Sequence, residues 1–234
     1  MGNLLEVSEL VVTYADGVQA LRGVSLHVAA STRVGLIGPN GAGKTSLQLA
    51  IMGGVRFGGV IMLDGIDLSS RRAAEARSRC GMVFEEGDDQ LFMPTLLDDV
   101  AFGPLNQGCS PAQAEAKARA AIAGVGLSGL EDRPAHHLSA GQKRNASLAT
   151  VLSMDVKLLL LDEPTSGLDF RSRQRLIELL QTRPEAMLLA THDMDLVQRL
   201  CQEAVLLDAG RVVVQGPTGQ VLSDTALLRQ HGLA

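Results

Sequence analysis

The chain has 234 residues and a mass of 24.7 kDa, enough for one large domain, or a domain with a subdomain, around a proper core. Hydrophobic residues reach 46% while aromatics stay at 3%, which suits an aliphatic α/β protein and argues against base-stacking nucleic-acid recognition. The net charge of -5, with no basic run longer than Arg71-Arg72, argues against a polyanion surface, so no nucleic-acid partner is expected.

The cysteines Cys80, Cys109 and Cys201 are far apart and odd in number, the pattern of reduced thiols. The N-terminus lacks a basic region followed by an apolar core, so no signal peptide is expected, and Glu6 argues against myristoylation at Gly2. No stretch approaches the roughly 20 apolar residues of a membrane span, so a role at a membrane would come through a partner.

In chain order, strand-like pieces fall at 10–14, 23–28 and Arg33–Ile37, followed by a Gly-rich turn and a helix over Lys44–Met52. Further strands are expected at 60–63, 81–84, 157–161, Ala186–Ala190, 204–207 and 211–214. Continuous apolar runs such as 158–161 suit strands buried on both faces of a mainly parallel sheet. Asp208-Ala209-Gly210 should join the last two strands as a hairpin. From about 91 to 153 the texture turns helical. Thr95 can cap a helix over 96–102. Ser110-Pro111 opens one over 112–123, with its stop at Gly124/Gly126, and 138–152 is a third helical region. The expected architecture is an α/β core with an inserted helical subdomain at about 91–153.

Three motifs carry chemistry. GPNGAGKT, at 38–45, has the spacing of a phosphate-binding loop between a strand and a helix. Gly38, Asn40, Gly41, Ala42, Gly43 and the following Ser46 would bring backbone N–H groups and a helix N-terminus to phosphate oxygens. Lys44 would reach the β- and γ-phosphates and Thr45 would ligate Mg²⁺. LLLLDEP, at 158–164, puts Asp162 and Glu163 at a buried strand's end, where ligands gather in open α/β sheets. Asp162 can hold Mg²⁺, and Glu163 can polarise an attacking water. LSAGQ, at 138–142, adds a second helix opening with Ser139, Gly141 and Gln142. Because one chain already cradles its own phosphates, the simplest use of this second anion site is the nucleotide of another copy.

The phosphate loop, LSAGQ, LLLLDEP, the SGLD segment at 166–169 and His192 after Ala186–Ala190 stand in the order found in ABC-type ATPases, and the chain resembles that family over nearly its whole length. The resemblance implies a single ATP-binding domain over 1–234 with the P-loop NTPase fold: a mainly parallel core sheet, an N-terminal antiparallel β region and the inserted helical subdomain. It implies ATP and Mg²⁺ as cofactors and head-to-tail pairing with a second ATPase subunit, Ser139 and Gly141 of one facing the γ-phosphate held by Lys44 of the other. Tyr14 matches the aromatic that stacks on adenine, His192 the switch histidine, and Asp169 the loop residue that communicates across the dimer.

Two departures stand out. The signature has Ala140 where Gly is commonest. After Phe84 the family's usual Gln, which joins Mg²⁺ and the attacking water to the membrane partner, is Glu85, and the customary Pro two residues on is Gly87. A carboxylate is a competent hard ligand but adds negative charge beside the γ-phosphate, so Glu85 is either a weaker or a pH-tuned catalytic-loop residue. Gln90 is the alternative. Glu85, Glu86, Asp88 and Asp89 form an acidic cluster, either a solvated loop or a dock for basic residues of a partner. His136-His137 lacks a third metal ligand at useful spacing.

The stretches around 88–108 and 136–154 look nearest to ATPases of energy-coupling factor (ECF) importers for cobalt or nickel, with a vitamin importer such as one for biotin as the alternative. That resemblance implies a membrane coupling (T) component and a substrate-binding (S) component as partners. It places the subunit peripherally on the cytoplasmic face of the cell membrane. A soluble ABC protein would be expected to carry a long coiled-coil insertion or a second cassette, and a small-molecule kinase would leave LSAGQ and His192 without work.

Overall fold

The computed structural model describes residues 2–85 and 90–233, which fall into two compact units. The first takes residues up to Cys80, Lys157–Asp162 and those from Pro184 onward; the second takes Gly81–Val156 and Glu163–Arg183.

In the first unit an antiparallel sheet has the order β2-β1-β4-β5, from β1 (Asn3–Thr13), β2 (Gln19–Ala29), β4 (Gly58–Leu63) and β5 (Ile66–Asp67). Its inward residues, among them Leu5, Leu10, Leu21, Val24 and Leu63, are almost wholly buried. β1 begins well before the expected 10–14. The alternation there is broken by register shifts between Val7 and Leu10, where Glu9 takes a left-handed φ of 49°. A bulge puts two residues opposite one, and that hides a strand from a period-two reading.

The second sheet of this unit runs β10-β9-β3-β8-β7, from β3 (Arg33–Ile37), β7 (Leu158–Asp162), β8 (Ala186–Ala190), β9 (Glu203–Asp208) and β10 (Arg211–Pro217). β3, β7, β8 and β9 are parallel, and only β10 is antiparallel. Every residue of β7 and β8 is buried, as the apolar runs Leu158–Leu161 and Ala186–Ala190 require, and burial extends to Asp162 at the end of β7. The β9–β10 turn places Ala209 and Gly210 at φ 45° and 75°, the two left-handed residues of a tight hairpin. Helices α1 (Lys44–Met52) and α7 (Met194–Leu200) follow β3 and β8. Short α2 (Ala73–Arg77), α8 (Thr218–Ser223) and α9 (Thr225–Gln230) were not expected from periodicity.

β6 (Cys80–Val83), buried throughout, carries the chain into the second unit. There α3 (Leu96–Asn106) packs on α4 (Pro111–Gly124) and α5 (Ala140–Leu152), with α6 (Phe170–Gln181) completing the unit's long helices. Each has a side-chain N-cap. Thr95 accepts from Asp98 N, Ser110 and Ser139 form capping boxes with Gln113 and Gln142, and Asp169 accepts from Ser172 N. α3 runs past the expected end at 102. Gly103 and Pro104 lie inside the helix, and a Cβ on Gly103 would meet Met154 Sδ at 2.6 Å. The glycine thus permits close packing rather than ending the helix. No described helix is long and apolar enough to cross a membrane.

Candidate nucleotide site

β3 delivers the chain into the loop at 38–45, and α1 leaves it. Gly43 has φ 107°, and a Cβ there would meet Leu21 Cδ2 at 2.7 Å and the Ala20 carbonyl at 2.8 Å. Glycine is therefore required sterically as well as conformationally. Gly41 is also left-handed, at φ 79°. Ala42 N donates to Pro39 O, and Ala42 O accepts from Gly210 N at 3.0 Å, which ties the loop to the β9–β10 hairpin. Gly38 and Ala42 are buried, while Asn40 is exposed at the loop's crest. Lys44 is 8% exposed; its Nζ donates to Gly38 O at 2.7 Å and Pro39 O at 3.2 Å. Its charge is thus held inside the loop it serves.

Thr45 donates its hydroxyl hydrogen to Asp162 Oδ2 at 2.7 Å. Asp162, at the C-terminal end of β7, is 4% exposed. At the next residue of α1, Ser46 Oγ lies 2.9 Å from the hydroxyl of Tyr14. The Tyr14 ring remains 38% exposed, so it stands beside the loop with its hydroxyl anchored. Gln48 carried no signal in the sequence beyond being polar within a helical stripe of Leu47, Ala50 and Ile51. It is fully buried, and its Nε2 donates to the carbonyls of Leu161 and Leu188, each at 3.1 Å. α1 is thereby stitched to β7 and β8 near the ends that present Asp162 and His192. His192 is exposed, in a short turn between two anchored neighbours. Thr191 N donates to Leu36 O, Asp193 N donates to Thr191 Oγ1, and Asp193 caps α7.

In the second unit, Glu163 is 8% exposed and left-handed at φ 42°, in a turn closed by Ser166 N donating to Glu163 O. A non-glycine residue in that region costs on the order of 1–3 kcal/mol, which the surroundings must offset. Ser139 is exposed; its Oγ accepts from Gln142 N, while Gln142 Oε1 accepts from Ser139 N at 2.9 Å. Ala140 is ordinary helix without a left-handed φ, so its methyl is accommodated without strain. A Cβ on Gly141 would stand 3.2 Å from Ser172 Oγ, and that hydroxyl donates to Asp169 Oδ2 at 3.1 Å. Gly141 and Asp169 therefore meet at the same serine. Hydrogen bonds from Ser172, first its backbone N–H, hold the Asp169 carboxyl below the usual range.

Glu85 is exposed, and its carbonyl and that of Phe84 both accept from the buried guanidinium of Arg144. The amide of Gln90 is committed at both ends. It donates to Thr150 Oγ1 at 2.7 Å and Ser147 O at 3.0 Å, and it accepts from Phe84 N at 3.4 Å. Glu86, Gly87, Asp88 and Asp89, most of the acidic cluster, lie outside the described residues. His136 and His137 sit in a single 3₁₀ turn, and among the described residues no three metal-ligating side chains cluster. The buried cysteines are free thiols; burial pushes Cys201 up to about 12 and Cys80 higher still.

The family model described as ABC transporter matches residues 21–166, well over half of the chain and inclusive of the phosphate loop, LSAGQ and Asp162-Glu163. The chain belongs to the ABC transporter ATP-binding family. It is an ATP-binding, ATP-hydrolysing subunit of that kind. A provisionally named ABC transporter ATP-binding protein of Streptomyces coelicolor is 46% identical over 98% of this chain and 88% of its own length. The cobalt import ATP-binding protein CbiO of Rhodobacter capsulatus is 40% identical over 100% of this chain and 85% of its own length. The solved structure of CbiO1 from Clostridium perfringens, described as part of the ABC transporter complex CbiONQ, superposes with a TM-score of 0.84 at 32% identity. It covers 98% of this chain and 94% of that one.

Proposed function

We propose that this ATPase powers an ECF-type importer by ATP-driven, head-to-tail closure of two ATPase subunits, in the simplest case two copies of this chain. The observation that carries the reading is the Thr45–Asp162 pair, which joins the phosphate loop to the acidic strand end. Both are hard oxygen donors suited to Mg²⁺. That cation takes one or two protein carboxylates and fills its shell with phosphate and water. Once bound, Mg²⁺ would offset the phosphate charge. Lys44 neutralises phosphate oxygens from within the loop, and Tyr14 presents its anchored ring to adenine. Glu163 orients or deprotonates the attacking water, and His192 contacts the γ-phosphate. Glu85 adds a carboxylate to the same hydrolytic machinery. The backbone opening at Ser139, with Gly141 and Gln142, serves the γ-phosphate on the partner's Lys44 loop, and Asp169 relays between the two sites.

The membrane side of the reading rests on an exposed apolar patch in the helical unit. Phe92 and Phe102 pack edge to face with ring centroids 5.3 Å apart, yet remain 65% and 41% exposed, beside the sequence neighbourhood of half-exposed Leu105. Such a patch suits a coupling (T) component, with a separate substrate-binding (S) component completing the importer and the ATPase held peripherally on the cytoplasmic face of the membrane. The name of the Rhodobacter relative and the resemblance of 88–108 favour cobalt or nickel over a vitamin such as biotin. Co-expression with the membrane components and uptake of labelled Co²⁺, Ni²⁺ and biotin tests this. Metal uptake that Lys44→Ala abolishes is expected; uptake of biotin alone would overturn the metal assignment, and uptake indifferent to Lys44→Ala would overturn the coupling.

A further inference from the structure

One face of α5 grips the chain around Glu85 at two points. Arg144, Ser147 and Thr150 lie three residues apart along the helix, on neighbouring turns of one side. The Arg144 residue is 6% exposed, and its two terminal nitrogens donate to consecutive carbonyls, Nη1 to Phe84 O at 2.5 Å and Nη2 to Glu85 O. Ser147 and Thr150 hold the amide of Gln90, which in turn accepts from Phe84 N. Residues 84, 85 and 90 are thus bound to the helix whose N-cap is Ser139. The guanidinium is suited to this. Its planar, fixed fork satisfies two carbonyls at once, whereas a lysine ammonium is a single flexible point charge. A charged donor also makes a stronger tie to a carbonyl than a neutral one.

We propose that Arg144 is a positioning residue that fixes the backbone at Phe84–Glu85 to the signature helix, so that the seating of Ser139 against a partner nucleotide sets where the Glu85 carboxylate stands. The proposal rests on the reading of Glu85 as part of the hydrolytic machinery. The helix is the rigid element. Ser139 begins it and Arg144 lies little more than one turn on, so a movement of the capped end is carried to the two gripped carbonyls. Glu85 then makes its contribution only in chains whose signature helix is seated.

The test uses the full chain, comparing Arg144→Met, Arg144→Lys, Glu85→Ala and the double variant Arg144→Met/Glu85→Ala. Arg144→Met should lower kcat about tenfold while KM for ATP moves less than about twofold, because binding is left to the Lys44 loop. Amide hydrogen exchange should rise across 82–91 and stay unchanged across β3 and β7, a localisation that general destabilisation would not give. In the Arg144→Met chain, Glu85→Ala should cost nothing further. If Arg144→Met does not fold, Arg144→Lys, which keeps the charge but not the fork, should show the same local rise in exchange with a smaller loss of kcat. Unchanged exchange across 82–91, or a multiplicative loss of kcat in the double variant, overturns the proposal. Glu85→Ala without effect on kcat in the otherwise native chain overturns instead the reading of residue 85; the anchoring of the loop by Arg144 then stands if exchange rises and falls if it does not.

Discussion

The hydroxyl of Thr45 and the carboxylate of Asp162 meet at 2.7 Å across 117 residues of sequence. The first belongs to the opening turn of α1 and the second to the end of β7. Their contact makes the phosphate loop and the acidic strand end one piece of chemistry. Both oxygens are held within the first unit, and Gln48 ties α1 to β7 and β8 directly behind them.

Asp162→Asn keeps an oxygen for Thr45 but removes the charge. ATPase activity should fall about 100-fold, or about 2.7 kcal/mol of barrier, and stop responding to Mg²⁺ in the millimolar range, while nucleotide affinity measured without Mg²⁺ stays within about threefold. Rates as a function of Mg²⁺ concentration check this. A full Mg²⁺ response in the variant would remove Asp162 from the site.

Tyr14 offers a ring and a hydroxyl, and the two can be separated. Tyr14→Phe loses only the bond to Ser46 Oγ and should raise KM for ATP by no more than about threefold, near 0.6 kcal/mol. Tyr14→Ala also loses stacking and should raise it about tenfold or more, since base–aromatic stacking is worth about 1–3 kcal/mol. Equal effects from the two variants would mean that the ring is not the part that matters.

Asp99 gives a pH-dependent expectation. It is 4% exposed, and its Oδ1 accepts from Phe92 N and Met93 N, each at 2.9 Å. Its Oδ2 is buried without a hydrogen-bond partner among the described residues. Burial pushes this carboxyl above the usual range, ahead of the opposing pull of the two N–H groups. A carboxyl raised in the folded state supports folding in its acid form and loses that support as pH rises through its folded value. Asp99→Asn, which carries no such charge, should therefore match or exceed the native chain by up to about 1 kcal/mol at pH 7, with the gap closing as pH falls toward 4. Asp99→Ala, which strands both N–H groups, should cost about 2 kcal/mol instead. Urea unfolding of the three chains between pH 4 and 8 distinguishes them; a gap that widens on acidification contradicts the sign.

The phosphate loop was legible because its glycines are imposed by local sterics, and β7 and β8 because burial on both faces leaves an unbroken apolar run. The helix starts at Ser110 and Ser139 were readable for the same local reason, whereas Gln113 and Gln142 were not picked out as their closing partners. What was hidden depended on distant partners. The first half of β1 is masked by the bulge at Glu9, and the last turn of α3 by a glycine whose purpose is to admit Met154. α6 was hidden because its first half, Phe170–Arg175, is mostly polar, and its buried residues Leu176, Ile177 and Leu180 all fall in the second half. Gln48 and Arg144 make their contacts through tertiary placement, and nothing in their immediate sequence distinguishes them from surface residues. Gln90 is a candidate ligand by its position in the loop, yet its amide is engaged with α5.

ATP should close two subunits on each other. Glu163→Gln keeps the left-handed turn and the shape of the side chain while removing the base, so hydrolysis should stall with nucleotide bound. Light scattering of this variant should show a monomer with Mg²⁺ and ADP and a dimer with Mg²⁺ and ATP. The additional change Ser139→Arg should abolish the dimer without abolishing nucleotide binding. A Glu163→Gln chain that stays monomeric at saturating Mg²⁺ and ATP, or that dimerises equally with Ser139→Arg, would show that nucleotide does not close two subunits through Ser139.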